Sequence, residues 1–152
     1  MSKSKNPCLL DDPAIVSFPY LVPYVELYKN RLPPLLRFEI SANGKTRGLI
    51  GSADTGSQRI IIDYAVGKSL GIDVEGGTPR PVAGIDRELS GWEHAVLLSV
   101  PDIDFAVVTP VTFAMGYRQG HALLGRTGFL NKWIVAFRDH HGVMYFTRED
   151  IV

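Results

Sequence analysis

Cysteine is almost missing from this chain of 152 residues: Cys8 stands alone. One thiol closes no internal disulfide, so packing and hydrogen bonds must hold the fold, as in a reducing compartment. A surplus of charge is missing too. Lys plus Arg number 16 and Asp plus Glu number 16, leaving no basic excess to neutralise phosphates, and nucleic acid is not an expected partner. Long apolar runs are also lacking. The longest, residues 105–115, is broken by Thr109, Pro110 and Thr112 and is too short for a bilayer, so no membrane span is expected. At the start, Cys8-Leu9-Leu10 runs straight into Asp11-Asp12-Pro13, which provides no signal-peptide core. The histidines His94, His121, His140 and His141 have no zinc spacing, and neither a metal nor another cofactor is expected. What remains is a cytoplasmic, single-domain protein. Its length and 45% hydrophobic content suffice for a real core.

The proline content is uneven. Pro13, Pro19, Pro23, Pro33 and Pro34 crowd the first 34 residues, interleaved with Phe18, Tyr20, Leu21, Val22, Tyr24 and Val25. Each proline fixes φ and removes a donor, so this segment reads as an extended apolar arm, lying on the domain or on a partner. From residue 35 the pattern is that of β-structure. Leu35-Leu36-Arg37-Phe38-Glu39-Ile40 alternates, Asn43-Gly44 supplies a hairpin turn, and residues 46–50 return. Further strands are expected at 60–62, 79–82, 92–100, 105–113 (bent at Pro110), 133–137 and 143–146. The last two are joined by the turn Asp139-His140-His141-Gly142. Residues 64–70 read as irregular structure before Gly71, and 128–132 as a short helical turn. Strands at this spacing make the chain mostly β, a barrel or a sandwich.

The chemistry is concentrated in Asp54-Thr55-Gly56-Ser57, set before Ile60-Ile61-Ile62. An Asp at the end of a strand can be held by the short hydroxylated residue beside it, and Gly lets the chain bend with its amide close to the carboxylate. By itself the tetrapeptide is also an ordinary β-turn sequence. Far downstream, Leu123-Leu124-Gly125-Arg126 is followed by Gly128-Phe129-Leu130 and by residues 133–137. Two aliphatics and a glycine can pack behind such a turn. Asp102-Ile103-Asp104 presents two acids that a metal or a glycosidase pair could use, but a polar turn after Pro101, ahead of a strand, is much the better account of them.

In this order, over about residues 35–146, these motifs resemble the retropepsin-like aspartic proteases: the retroviral proteases and their cellular and bacterial relatives. The resemblance implies a small closed β-barrel with one short C-terminal helix, assembled as a two-fold homodimer. Residues 1–34 would be an arm or a self-cleaved pro-segment, with Phe18-Pro19 as the cut, and residues 35–152 the protease domain. It implies aspartic endopeptidase activity on polypeptide substrates, with Asp54 catalytic, Thr55, Gly56 and Ser57 supporting its loop, and Leu124, Gly125 and Arg126 behind the site. Val82-Ala83-Gly84-Ile85-Asp86 would be the flap, with Ala83, Gly84 and Ile85 facing substrate, unless it is an ordinary hairpin loop. The chain departs from the family twice. Gly51-Ser52-Ala53 precedes Asp54 where aliphatics are usual, which weakens the expected packing of that strand, and Gln58 stands where retroviral members place the acidic partner of the arginine at Arg126. Those departures leave room for a dimer of this fold that binds peptides or proteins without cutting them.

Overall fold

The computed structural model describes residues 18–27, 33–84 and 86–149. Cys8 and the proposed flap residue Ile85 lie outside the described residues.

Asn43 and Gly44 both take positive φ (53° and 73°), as the favoured two-residue hairpin turn requires. They join strand β1's successor pair: β1 is Tyr20–Pro23, β2 is Leu35–Ala42 and β3 is Lys45–Ala53, with Ala42 opposite Lys45 and Leu35 opposite Ser52 in the β2–β3 ladder. Along β2 the side chains of Leu36, Phe38 and Ile40 are buried while Arg37 and Glu39 face out, the period of two expected of a sheet with one solvated face. After the Asp54 loop, strand β4 (Ile61–Asp63) leads directly into helix α1 (Tyr64–Ser69). Four strands follow: β5 (Thr78–Pro79), β6 (Val82–Ala83), β7 (Glu88–Leu89) and β8 (Gly91–Val100). The remaining strands are β9 (Phe105–Ala114), β10 (Ala122–Leu124), β11 (Trp133–Arg138) and β12 (Val143–Arg148).

Six of these close on themselves in the order β2-β3-β10-β4-β9-β8, with β2 returning to β8 through Glu39↔Ser99, Ile40↔Leu98 and Ser41↔Leu97. Closure leaves the barrel without free edges. Phe38, Ile40, Ile62, Leu98, Val111, Phe113 and Leu124 pack within one continuous core. Two of the pairings, β10 with β3 and β4 with β9, are parallel. Strand β9 runs unbroken through Pro110. Thr112 N–H donates to Ile60 O at 3.0 Å, so the nitrogen of Pro110, two residues earlier, faces the same side beyond the start of β4, where no ladder bond is lost.

A second sheet has the order β1-β12-β11. Trp133 ties it to the barrel, meeting the rings of Tyr20, Phe105 and Phe146 edge-on at centroid distances of 5.9, 5.3 and 5.8 Å. Such edge-to-face contacts add to the area buried. Just beyond β1, Tyr24 N–H donates to Gly142 O (2.8 Å) and its hydroxyl to Asp139 Oδ1 (3.1 Å). Burial, and then the carboxylate of Asp139, push that hydroxyl up to about 12, so it remains a donor through the neutral range. Tyr24→Phe is expected to cost about 1 kcal/mol, read as a lower urea midpoint with an unchanged slope; an unchanged midpoint would show that the bond contributes nothing.

The helical content falls elsewhere than expected. Residues 128–132 hold only a 3₁₀ turn, Leu130–Lys132, and the α-helix among the described residues is α1, in the stretch read as irregular. Asp63 caps it, its Oδ1 accepting from Ala65 N–H at 2.9 Å, and Gly71 at φ 73° ends it. Gly67 sits inside because a Cβ there would meet Val74 Cγ2 at 2.7 Å and Phe113 Cδ1 at 3.0 Å: the helix lies too close to β9 for a side chain.

Candidate active site

Asp54 begins the loop that leaves β3. Parallel pairing of β10 with β3 sets Leu124 opposite Ala53, and one step on, Asp54 N–H donates to Leu124 O at 3.1 Å. The carboxylate is then fixed from its own loop. Its Oδ1 accepts from Gly56 N–H at 2.9 Å, and Asp54 O accepts from Ser57 N–H at 3.2 Å. A Cβ on Gly56 would lie 3.2 Å from that Oδ1, which is why the smallest residue suits the position. Ser57 Oγ donates to Arg59 O at 2.8 Å and ends the turn. The downstream motif interlocks with this loop: Arg126 N–H donates to Ser57 O (2.9 Å) and Thr127 N–H to Gln58 O (2.8 Å). The two sequence motifs are thus one backbone unit. Thr55 and Gly56 face outward, exposed.

A cleft of about 310 Å³ opens over the carboxylate. Its floor is Asp54, Gly56 and Ser57, one wall is Tyr117, Arg118 and Gln119, and Val82, Ala83, Gly84 and Leu89 of the β6–β7 hairpin complete it, with Ile61 and Leu123 between. The hairpin rests on its own apolar cluster, Val82 and Leu89 packing with Ile61, Ala114, Tyr117 and Leu123. Arg59 Nη2 donates to Pro81 O at 2.7 Å, tying the Asp54 loop to the base of the hairpin. Asp54 is the one carboxylate among the described residues lining this cleft. A larger hollow, about 550 Å³, lies on the outer side of β2 and β3 beside Pro101 and Asp102, away from Asp54. What sets the cleft over Asp54 apart is the carboxylate on its floor, not its size.

His121, just before β10, is the titratable group electrostatically coupled to Asp54. Burial lowers its pKa from 6.5, and the negative charge of Asp54 pulls in the opposite direction. Tyr117 hydroxyl donates to its carbonyl at 2.9 Å. The unfolded chain takes up the proton more readily than the folded one, so the stability held above about pH 6.5 declines as pH falls through that value toward the lower folded pKa. His121→Gln is expected to narrow the gap between urea midpoints measured near neutrality and near pH 5. An unchanged gap would contradict the lowering of the His121 pKa by burial.

Of the residues expected from sequence, Asp54, Gly56, Ser57, Ala83 and Gly84 share the cleft, Thr55 lines a separate groove together with Arg126, and Leu124 and Gly125 lie behind the loop. The wall at 117–119 was not anticipated. Its signal was a glycine-bracketed loop, Gly116 to Gly120, immediately before the Leu-Leu-Gly strand, and loops held by rigid strands commonly carry binding groups. Asp102 and Asp104 occupy a 3₁₀ turn and its left-handed cap. Among the described residues no group of three or more His, Cys, Asp or Glu side chains could hold a metal ion, and no helix is long and apolar enough to cross a membrane.

No family model matches the chain, and no curated protein sequence does. Among solved structures, a retropepsin-like aspartic protease from Rickettsia conorii superposes with a TM-score of 0.57 at 14% identity, covering 82% of this chain and 95% of that one. The chain has the retropepsin-like fold. Within that fold, Gly51 is compensated by its neighbours. A Cβ on it would meet Leu124 Cγ and Phe38 Cε1, each at 2.9 Å, so the volume an aliphatic would fill is already occupied. The weakened strand packing expected at Gly51 is therefore corrected. At Gln58 the contact to the downstream motif is through its carbonyl, which accepts from Thr127.

Proposed function

We propose that this retropepsin-like chain is an aspartic endopeptidase that works as a homodimer and hydrolyses extended polypeptide segments. The observation that carries the reading is the single Asp54 carboxylate, held on the floor of a cleft beneath a hairpin, with Thr55 and Gly56 exposed beside it. Peptide hydrolysis of this type needs two carboxylates close enough to share a proton. The second is Asp54 of a second copy across a two-fold axis, and the site is incomplete without it.

In the shared site, the ionised carboxylate takes a proton from a water as its oxygen attacks the peptide carbonyl. The protonated carboxylate donates to the carbonyl oxygen, and the pair titrates as a unit. Thr55 of each copy bonds across the axis and fixes the two loops, while the β6–β7 hairpin closes over substrate and excludes water. The groove next to Thr55 suits a second copy. It measures about 330 Å³ and is lined by Thr55, Arg126, Trp133, Val135, Phe137 and Glu149 among others. It runs beside β11, an outer strand of the second sheet, where Phe137 is 39% exposed and the buried Trp133 Nε1 has no hydrogen-bond partner among the described residues. In this reading residues 1–34 are an arm, with β1 as a strand of the second sheet, and residues 35–152 are the catalytic domain; a cut at Phe18-Pro19 would fall before β1.

The test is a peptide-cleavage assay across acid and neutral pH, with and without pepstatin. Pepstatin-sensitive cleavage that tracks the dimer fraction supports the reading. A dimer that binds the same peptides and releases no product favours a peptide-binding role instead.

A further inference from the structure

The cleft over Asp54 has an uneven chemistry. Most of its lining is apolar or small, and among the described residues it contains one cation, Arg118, on the wall formed by residues 117–119. Arg118 is exposed and makes no ion pair or hydrogen bond among the described residues. Two other guanidiniums are already engaged in structure. Arg59 bonds the hairpin base at Pro81 O, and Arg80 pairs with Glu93 at 3.6 Å. Arg87 lies against the loop two residues before Arg118, its Nη2 3.4 Å from the position a Cβ on Gly116 would take. The hairpin acids Asp86 and Glu88 are exposed and do not line the cleft.

A cavity of this volume is on the order of 8 Å across, the span of two to three extended residues. A side chain that points at the 117–119 wall while the backbone passes Asp54 therefore meets a guanidinium, and Asp54 at the reaction centre is the one carboxylate among the described residues that shares the cleft with it. Arginine binds a carboxylate through paired N–H donors, and the partly enclosed site screens the pair less than open water does. Resting on the endopeptidase reading above, we propose that Arg118 selects substrates carrying an acidic side chain within about three residues of the scissile bond, next to an apolar residue seated on the Val82–Leu89–Leu123 surface. The chain's zero net charge makes such selection a local property of the cleft and not a product of long-range attraction.

The test uses the full chain and matched peptide pairs that differ only by Asp against Asn or Glu against Gln near the cut. The wild type is expected to favour the acidic member about fivefold in kcat/KM at low salt, with the preference fading toward 1 M salt. Arg118→Ala is expected to abolish the ratio, and Arg118→Glu to turn the preference toward Lys-bearing peptides. Arg47→Ala, which removes the same charge at the hairpin end of β3, should keep the wild-type ratio. The same pairs are measured for binding to the Asp54→Asn variant, with and without Arg118→Ala, so that selection is read even without turnover. Cleavage with no acidic preference overturns the role of Arg118 and leaves the endopeptidase reading standing. Acidic preference in binding without any cleavage supports Arg118 and defeats that reading. Equal ratios in wild type and Arg118→Ala, in cleavage and in binding, overturn the proposal.

Discussion

Asp54→Asn is expected to lower peptide cleavage at least about a thousandfold while leaving the fold and the dimer in place. The substitution keeps the shape of the side chain, and an amide oxygen can still accept the bond that Asp54 Oδ1 takes from Gly56 N–H. The backbone links from Asp54 N–H to Leu124 O and from Ser57 N–H to Asp54 O do not involve the side chain at all. Stability should therefore change by about 1 kcal/mol or less. What is lost is the ability to exchange a proton with water, and an amide cannot replace it. Residual cleavage that persists in a clean preparation, and is still blocked by pepstatin, would place the chemistry elsewhere in the chain.

The second large effect is expected at Gly125. A Cβ there would strike Arg59 O and lie 2.6 Å from Ser57 O and 2.8 Å from Arg59 C. These are backbone atoms of the Asp54 loop, so no rotamer change relieves the clash and either the loop or β10 must move. Arg126 N–H to Ser57 O, Thr127 N–H to Gln58 O and Leu130 N–H to Gly125 O all depend on the present spacing. Gly125→Ala should cost on the order of 3 kcal/mol and should remove activity even at temperatures where the protein stays folded. Gly48→Ala is the matched control. Nothing lies within 4 Å of its Cβ position, and the expected change is within about 0.5 kcal/mol. Equal effects from the two substitutions, in thermal melts and cleavage assays, would mean that the two motifs are not locked together.

How much of this could be read from sequence depends on how local each signal is. The β2–β3 hairpin was legible because Asn43-Gly44 fits a turn needing two positive φ values, and the β11–β12 turn because Gly142 supplies a left-handed residue (φ 63°). The Asp54 loop was legible from its four residues because the two bonds that shape the turn, Gly56 N–H to Asp54 Oδ1 and Ser57 N–H to Asp54 O, lie within them. Helix α1 was missed because Gly67 breaks its local propensity, and only the closeness of Val74 and Phe113 explains that glycine. The cap at Asp63 and the stop at Gly71 were the available signals. Gly51 misled for a similar reason: its missing side chain is replaced by Leu124 from a strand 71 positions downstream in the register Ala122↔Gly51 and Leu124↔Ala53. Parallel pairings of this kind leave no mark in the local pattern. The 117–119 wall of the cleft was hidden the same way, since nothing in the residues themselves says that their loop faces Asp54.

The central claim is that one catalytic site takes Asp54 from each of two chains, and subunit mixing tests it most directly. A fixed amount of wild-type protein is exchanged with added Asp54→Asn protein, at concentrations where sedimentation shows both to be dimeric, and cleavage is followed. Because a mixed dimer holds only one competent carboxylate, an equal amount of the variant should reduce total activity to about half, and a threefold excess to about one quarter. Activity that stays constant as the variant is added would show that each chain works alone, and would contradict the account.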